Sequence, residues 1–163
     1  MTIRERVGIS EYRIASSPQE LVTYGLGSCL GVTIYDPESK RGGLAHTLLP
    51  KPRPGMDTSR KSKFVETAIR LMVEELVERG AALDRLEAKV FGGANMFESL
   101  QGEGGKSIGE RNIDCARETL ADLGIVITAE DVAGNFGRTL VFALATGKVT
   151  VKSVREGRKE LEF

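Results

Sequence analysis

The stretch LVTYGLGSCLGVTIY, residues 21–35, decides how this chain is read. Residues 21–24 and 30–35 are rich in β-branched and aromatic side chains, which suit a pleated, half-buried surface and predict two strands. Between them, Gly25 and Gly27 allow positive φ and close backbone approach, so a sharp, open turn is expected just ahead of Cys29. Backbone N–H groups in such a turn can converge on an anion. The amides of Gly27, Ser28 and Cys29 are therefore candidate oxyanion donors beside a candidate nucleophilic thiol.

Working outward, residues 44–49 predict another strand, ended by Pro50, and residues 50–62 a loop carrying Pro52, Pro54 and Gly55. Over residues 63–79, Val65, Ile69, Met72, Val73 and Leu76 recur at helical spacing, and Gly80 supplies the stop. A second helix is expected over about residues 110–123, with Ile113, Ala116, Leu120 and Leu123 on one face and Gly124 closing it. Residues 86–91, 125–129, 139–145 and 148–154 read as strands, the last two joined at Thr146-Gly147 in a hairpin. The charged tail, residues 152–163, reads as a solvated end. Strands in runs with only two long helices point to an α+β layered fold rather than an alternating βαβ barrel.

At 163 residues the chain is expected to form a single domain over residues 1–163, with a core that needs neither disulfides nor structural metal. Twenty-three Lys and Arg balance 23 Asp and Glu, and this zero net charge argues against a general nucleic-acid binder. The longest apolar run, residues 140–145, falls far short of the ~20 residues of a membrane span. Residues 1–10 are charged and lack the apolar core of a secretory signal. A soluble, cytoplasmic protein is expected. Two cysteines and one histidine cannot supply the four Cys or His ligands of a usual structural zinc site, so no metal is expected.

Two phosphate-binding readings fail. Gly25-x-Gly27 lacks the third glycine of the dinucleotide fingerprint, because Leu30 stands there, and a strand-like segment follows where a helix is required. Gly105-Lys106-Ser107 resembles the end of a P-loop, but Leu100 occupies the position of its first glycine. What remains is Cys29 and His46. His46, in GGLAHTLLP, is the only ordinary side chain that titrates near neutrality, in a strand that could lie beside the Cys-bearing one. One imidazole can both activate a thiol and protonate a leaving group. The alternative is a core cysteine and an unrelated strand histidine. Cys115 lies inside an amphipathic helix and reads as a small buried apolar residue.

The segments GLGSC, GGLAHTLLP, FGGANMFES, IGERN and EDVAGNFGR, in this order, resemble the CheD family of chemoreceptor glutamine deamidases, and the likeness runs from Gly8 to about Val154. The resemblance implies an α/β/β sandwich like the catalytic domain of cytotoxic necrotizing factor toxins. It implies a catalytic Cys29 and His46, with Thr23 orienting the imidazole by a hydrogen bond. The implied reaction is hydrolysis of Gln side-chain amides to Glu on the cytoplasmic helices of methyl-accepting chemotaxis receptors. No cofactor is called for, and some members also hydrolyse receptor methyl esters. The implied partners are those receptor helices and CheC, a phosphatase of the same pathway. Ala133 is a departure, standing at a turn position where the family often has Gly.

Two other function classes compete: a binding module that chiefly regulates a CheC-type phosphatase, and a general thiol hydrolase. Residues 51–63 hold Lys51, Arg53, Arg60, Lys61 and Lys63 against only Asp57, a basic bias able to steer an acidic receptor helix. The alternative is a solvated loop and a basic helix start. Asn95 and Arg138, in Gly-rich loops after strands, are candidate substrate contacts or parts of fold-required turns.

Overall fold

The computed structural model describes residues 3–96, 105–155, 157 and 159–163. Among them are ten strands: β1 (Arg4–Arg6), β2 (Glu11–Ser16), β3 (Glu20–Leu26), β4 (Leu30–Asp36), β5 (Arg41–Thr47), β6 (Glu87–Gly92), β7 (Val126–Val132), β8 (Arg138–Ala143), β9 (Val149–Ser153) and β10 (Lys159–Glu162). Two helices, α1 (Val65–Glu78) and α2 (Ile108–Asp122), flank β6 in the chain. The strands form two mixed sheets, ordered β1-β3-β8-β9-β10 and β2-β5-β4-β6-β7. Only β1 with β3 and β6 with β7 pair in parallel.

Three layers result, because two separate cores form on the faces of one sheet. The helices send Ile69, Met72, Leu76, Ile113, Ala116 and Leu120 against Leu30, Val32 and Ile34 of β4. On the opposite face, Cys29, Tyr35 and Phe91 meet Leu21, Leu26, Leu140 and Phe142 from the other sheet. β4 is thus buried along its whole length. A strand covered on both faces reads as a near-continuous apolar run, which is why LGVTIY stands out in the sequence. The architecture is the α+β arrangement expected, with helix, sheet and sheet in layers.

Both helices lie where their periodicity places them. Ser107 caps α2 by accepting the Glu110 N–H at 3.1 Å, which explains its start two residues earlier than expected. It also gives the Gly105-Lys106-Ser107 run a helix-capping role; Leu100 lies outside the described residues. The Thr146-Gly147 hairpin joins β8 to β9, with Gly147 at φ 78°.

Three features were not foreseen. The turn after β3 crosses between layers: β3 and β4 lie in different sheets, so residues 27–29 carry the chain from one layer to the other. β1 and β2 were not expected, since both are short or half-exposed and carry charged side chains without clear alternation. The tail is exposed, as expected, but it is also a paired strand. β10 pairs antiparallel with β9, Phe163 stacks edge-on against Phe91 at 5.7 Å, and Lys89 Nζ donates to the Phe163 carbonyl at 2.9 Å. Its strand residues are all exposed, so composition hides a pairing made by the backbone.

Candidate active site

The crossing turn puts Cys29 at the edge of the core between the two sheets. Its three carbonyls are held from outside. Gly27 O accepts the Ala94 N–H, Cys29 O accepts the Gly93 N–H, both at 2.9 Å, and Ser28 O accepts the Asn112 side-chain amide at 3.0 Å. Gly92, at φ +96°, passes so close that a Cβ would stand 2.5 Å from Cys29 O, so no other residue fits there. Further support comes from the loop after β7: Ala133 N–H donates to Gly92 O, and Asn95 N–H to Gly134 O.

β5 delivers the imidazole. It pairs antiparallel with β4, and His46 stands opposite Gly31. Side chains directly opposite in a sheet share a face, and so do residues two apart in a strand. His46 therefore points into the same inter-sheet layer as Cys29, two residues before Gly31. A side chain at Gly31 would strike Leu140 Cδ1 at 2.6 Å, so glycine lets the sheets close beside the histidine.

Thr23 reaches across from β3 in the other sheet. Its Oγ1 donates to the Val7 carbonyl at 2.7 Å and lies 2.7 Å from His46 Nδ1. A carbonyl can only accept, so the single hydroxyl proton goes to Val7 and Oγ1 must accept from Nδ1–H. That fixes the neutral tautomer with its lone pair on Nε2. Nε2 is buried and has no hydrogen-bond partner among the described residues. It is an available base, not yet joined to the thiol.

Burial sets the charge states. Thr23 is fully buried and His46 is 1% exposed. Desolvation lowers the His46 pKa from 6.5 to about 4, so the imidazole is neutral at physiological pH. Burial likewise raises the Cys29 thiol, with its own backbone amide pulling weakly the other way. The resting pair is thus neutral thiol and neutral imidazole.

The other sequence candidates are placed differently. Cys115 is buried in α2, its thiol donating to the Pro50 carbonyl at 3.4 Å, as a packing residue would be. Arg138 is 2% exposed and bonds Asp131 Oδ2 and the Ala133 carbonyl, both at 3.0 Å, while its guanidinium and that of Arg155 each lie over the Phe136 ring, 4.3 Å from the centroid. Asn95 is half-buried; the rest of its motif past Met96 lies outside the described residues. Val7 and Asn112 were missed by the sequence reading. Val7 acts through its carbonyl, which leaves no mark on residue type. Among the described residues no three His, Cys, Asp or Glu side chains gather as a metal site requires. No helix there is long and apolar enough to cross a membrane.

Fold and site together define a three-layer α+β protein with a buried thiol on a carbonyl-tethered turn, facing the same layer as an oriented neutral imidazole. A family model described as CheD chemotactic sensory transduction matches residues 48–153, and whole-length relatives extend the likeness across the site. The chain belongs to the CheD family. It is 51% identical to the probable chemoreceptor glutamine deamidase CheD 2 of Geobacter metallireducens, over 95% of this chain and 96% of the relative. It is 44% identical to the probable chemoreceptor glutamine deamidase CheD of Pyrococcus horikoshii, over 94% of each. With the chemoreceptor glutamine deamidase CheD of Thermotoga maritima it shares 41% identity, over 96% of each chain.

Proposed function

We propose that this chain is a cytoplasmic chemoreceptor glutamine deamidase that converts receptor Gln side chains to Glu through a thioester on Cys29. The observation that carries this reading is the Val7–Thr23–His46 chain of hydrogen bonds, which leaves an unprotonated Nε2 in the layer that Cys29 faces.

Because the resting thiol is protonated, proton removal accompanies attack instead of preceding it. As the Gln carboxamide enters, His46 Nε2 takes the Cys29 proton and Sγ bonds to the carboxamide carbon. The oxyanion is met by amides of the Gly27, Ser28 and Cys29 turn, each such donor being worth ~3 kcal/mol in the transition state. Nε2–H then gives its proton to the departing amine. The C–N bond breaks and ammonia leaves a thioester. Water, deprotonated by the same Nε2, attacks the thioester carbon, and Glu is released as the thiol regains its proton. Thr23 keeps Nδ1–H engaged throughout, the orienting role that a carboxylate has in other triads.

The apo geometry supports a site that tightens on substrate, since catalytic hydrogen bonds are commonly formed only in the substrate complex. Asn95 is a further candidate substrate contact, on the loop beside the turn. Arg138, engaged with Asp131, would act there only by holding that loop. A CheC-type phosphatase is a proposed partner on the family likeness; co-elution of the two purified proteins tests it.

The function is tested by incubating a receptor cytoplasmic fragment with the protein and following the ~1 Da gain of each deamidated Gln by mass spectrometry. Cys29→Ala and His46→Ala should abolish turnover while Cys115→Ala retains it. A dead Cys115→Ala with an active Cys29→Ala would overturn the assignment.

A further inference from the structure

The two chemical groups of the site sit on different segments, and one side chain of the helical layer touches both. Asn112, in α2, is fully buried. Its Nδ2 donates to Ser28 O at 3.0 Å, one residue before the thiol, and to Leu48 O at 3.2 Å, two residues after the imidazole. Both Nδ2 protons are thereby used, and Oδ1 is left buried without a partner among the described residues. The flanking carbonyls of Gly27 and Cys29 are held by backbone donors. Ser28 O is the member of this trio whose tie is a side chain.

We propose that Asn112 is a positioning residue for the thiol chemistry, its amide bridging the Cys29 turn and the His46 segment to fix the approach of Sγ to Nε2. The bridge also matters for the oxyanion. A peptide's carbonyl and the following N–H point in opposite directions, so fixing Ser28 O on the helix side aims the Cys29 amide the other way. Sub-ångström placement of reacting groups is worth large rate factors, so a donor that touches no substrate can still govern turnover.

This inference rests on the deamidase reading, and its test separates the two. Asn112→Ala removes the bridge; Asn112→Asp keeps the shape but offers carbonyl oxygens an acceptor where they had a donor. For both, steady-state deamidation of the receptor fragment is measured well below the unfolding temperature. The expected result is a kcat lowered at least ~10-fold with KM within ~3-fold, since binding contacts are intact. Site-resolved alkylation of Cys29 by iodoacetamide should slow in parallel. In Asn112→Asp, activity relative to the unsubstituted protein should rise as pH falls, because a protonated carboxyl can again donate one bond. A folded variant with unchanged kcat and unchanged Cys29 alkylation overturns the proposal. An active Cys29→Ala in the same assay overturns the deamidase reading instead. If neither variant folds, the unsubstituted protein still decides. Alkylating Cys29 should shift the Asn112 side-chain amide signals in NMR spectra and leave those of Gln19, just ahead of β3, in place; unmoved Asn112 signals reject the bridge.

Discussion

Thr23 Oγ1 and His46 Nδ1 lie 2.7 Å apart, although the two residues belong to different sheets. The contact spans the interior of the sandwich and is anchored at its far end by the Val7 carbonyl. It holds the imidazole in one orientation with its proton on Nδ1.

Replacing Thr23 by Val keeps the shape and removes the hydroxyl, leaving both Nδ1–H and the Val7 carbonyl without a partner. Leaving a buried hydrogen-bonding group unsatisfied costs ~1–3 kcal/mol, which corresponds to roughly 5–150-fold in kcat. Thr23→Ser should retain most of the activity. Steady-state deamidation kinetics check both, and equal losses in the two variants would show that the hydroxyl is not what matters.

His46 also ties stability to pH. Its folded pKa, about 4, lies below its ordinary 6.5, so the unfolded chain binds the proton more readily. The effect is therefore absent above about 6.5, and stability falls as pH drops towards about 4, by up to ~3 kcal/mol in total. Urea unfolding followed across this window should show the slope in the unsubstituted protein and a flatter curve in His46→Gln. Asp36 acts lower on the scale. Held well below the usual carboxylate range by Arg85, it loses its contribution only as pH falls beneath the ordinary Asp value.

Ala133, at a turn position where the family resemblance leads to an expectation of Gly, occupies the left-handed region at φ 67°. The turn is thus kept, and the side chain bears strain that glycine would relieve. Ala133→Gly should raise stability by up to ~1 kcal/mol, the relief being partly offset by the greater freedom of glycine in the unfolded chain. Chemical denaturation measures this directly. A loss of stability would mean that the Ala methyl makes contacts outweighing the strain.

The loop after β5 is exposed over residues 51–61 and carries most of the basic bias of residues 51–63. If it steers the acidic receptor helix, the combined Arg53→Ala, Arg60→Ala and Lys61→Ala variant should lower kcat/KM by several-fold at low salt and little at high salt. The same deficit at both ionic strengths rejects steering.

Much of this protein is legible from its sequence alone. The stripe of Val65, Ile69, Met72 and Leu76 specifies α1, because a helix buries one face at a fixed period. LGVTIY specifies a strand covered on both sides. One histidine and two cysteines, with one cysteine in a glycine turn and the other in a helix, narrow the candidates for the proposed chemistry to Cys29 and His46. What the sequence could not decide are relations made by backbone or across layers. Among these are the crossing of residues 27–29 between sheets, the tail strand β10, the Val7 carbonyl that sets the His46 tautomer, and the Asn112 bridge. Residue type is a record of side-chain environment, so it marks periodic burial well. It carries no trace of which carbonyl a hydroxyl will meet, nor of which distant strand will bring the two together. Those pairings exist only once the three layers have closed, and here they are what would turn a thiol and an imidazole into the proposed site.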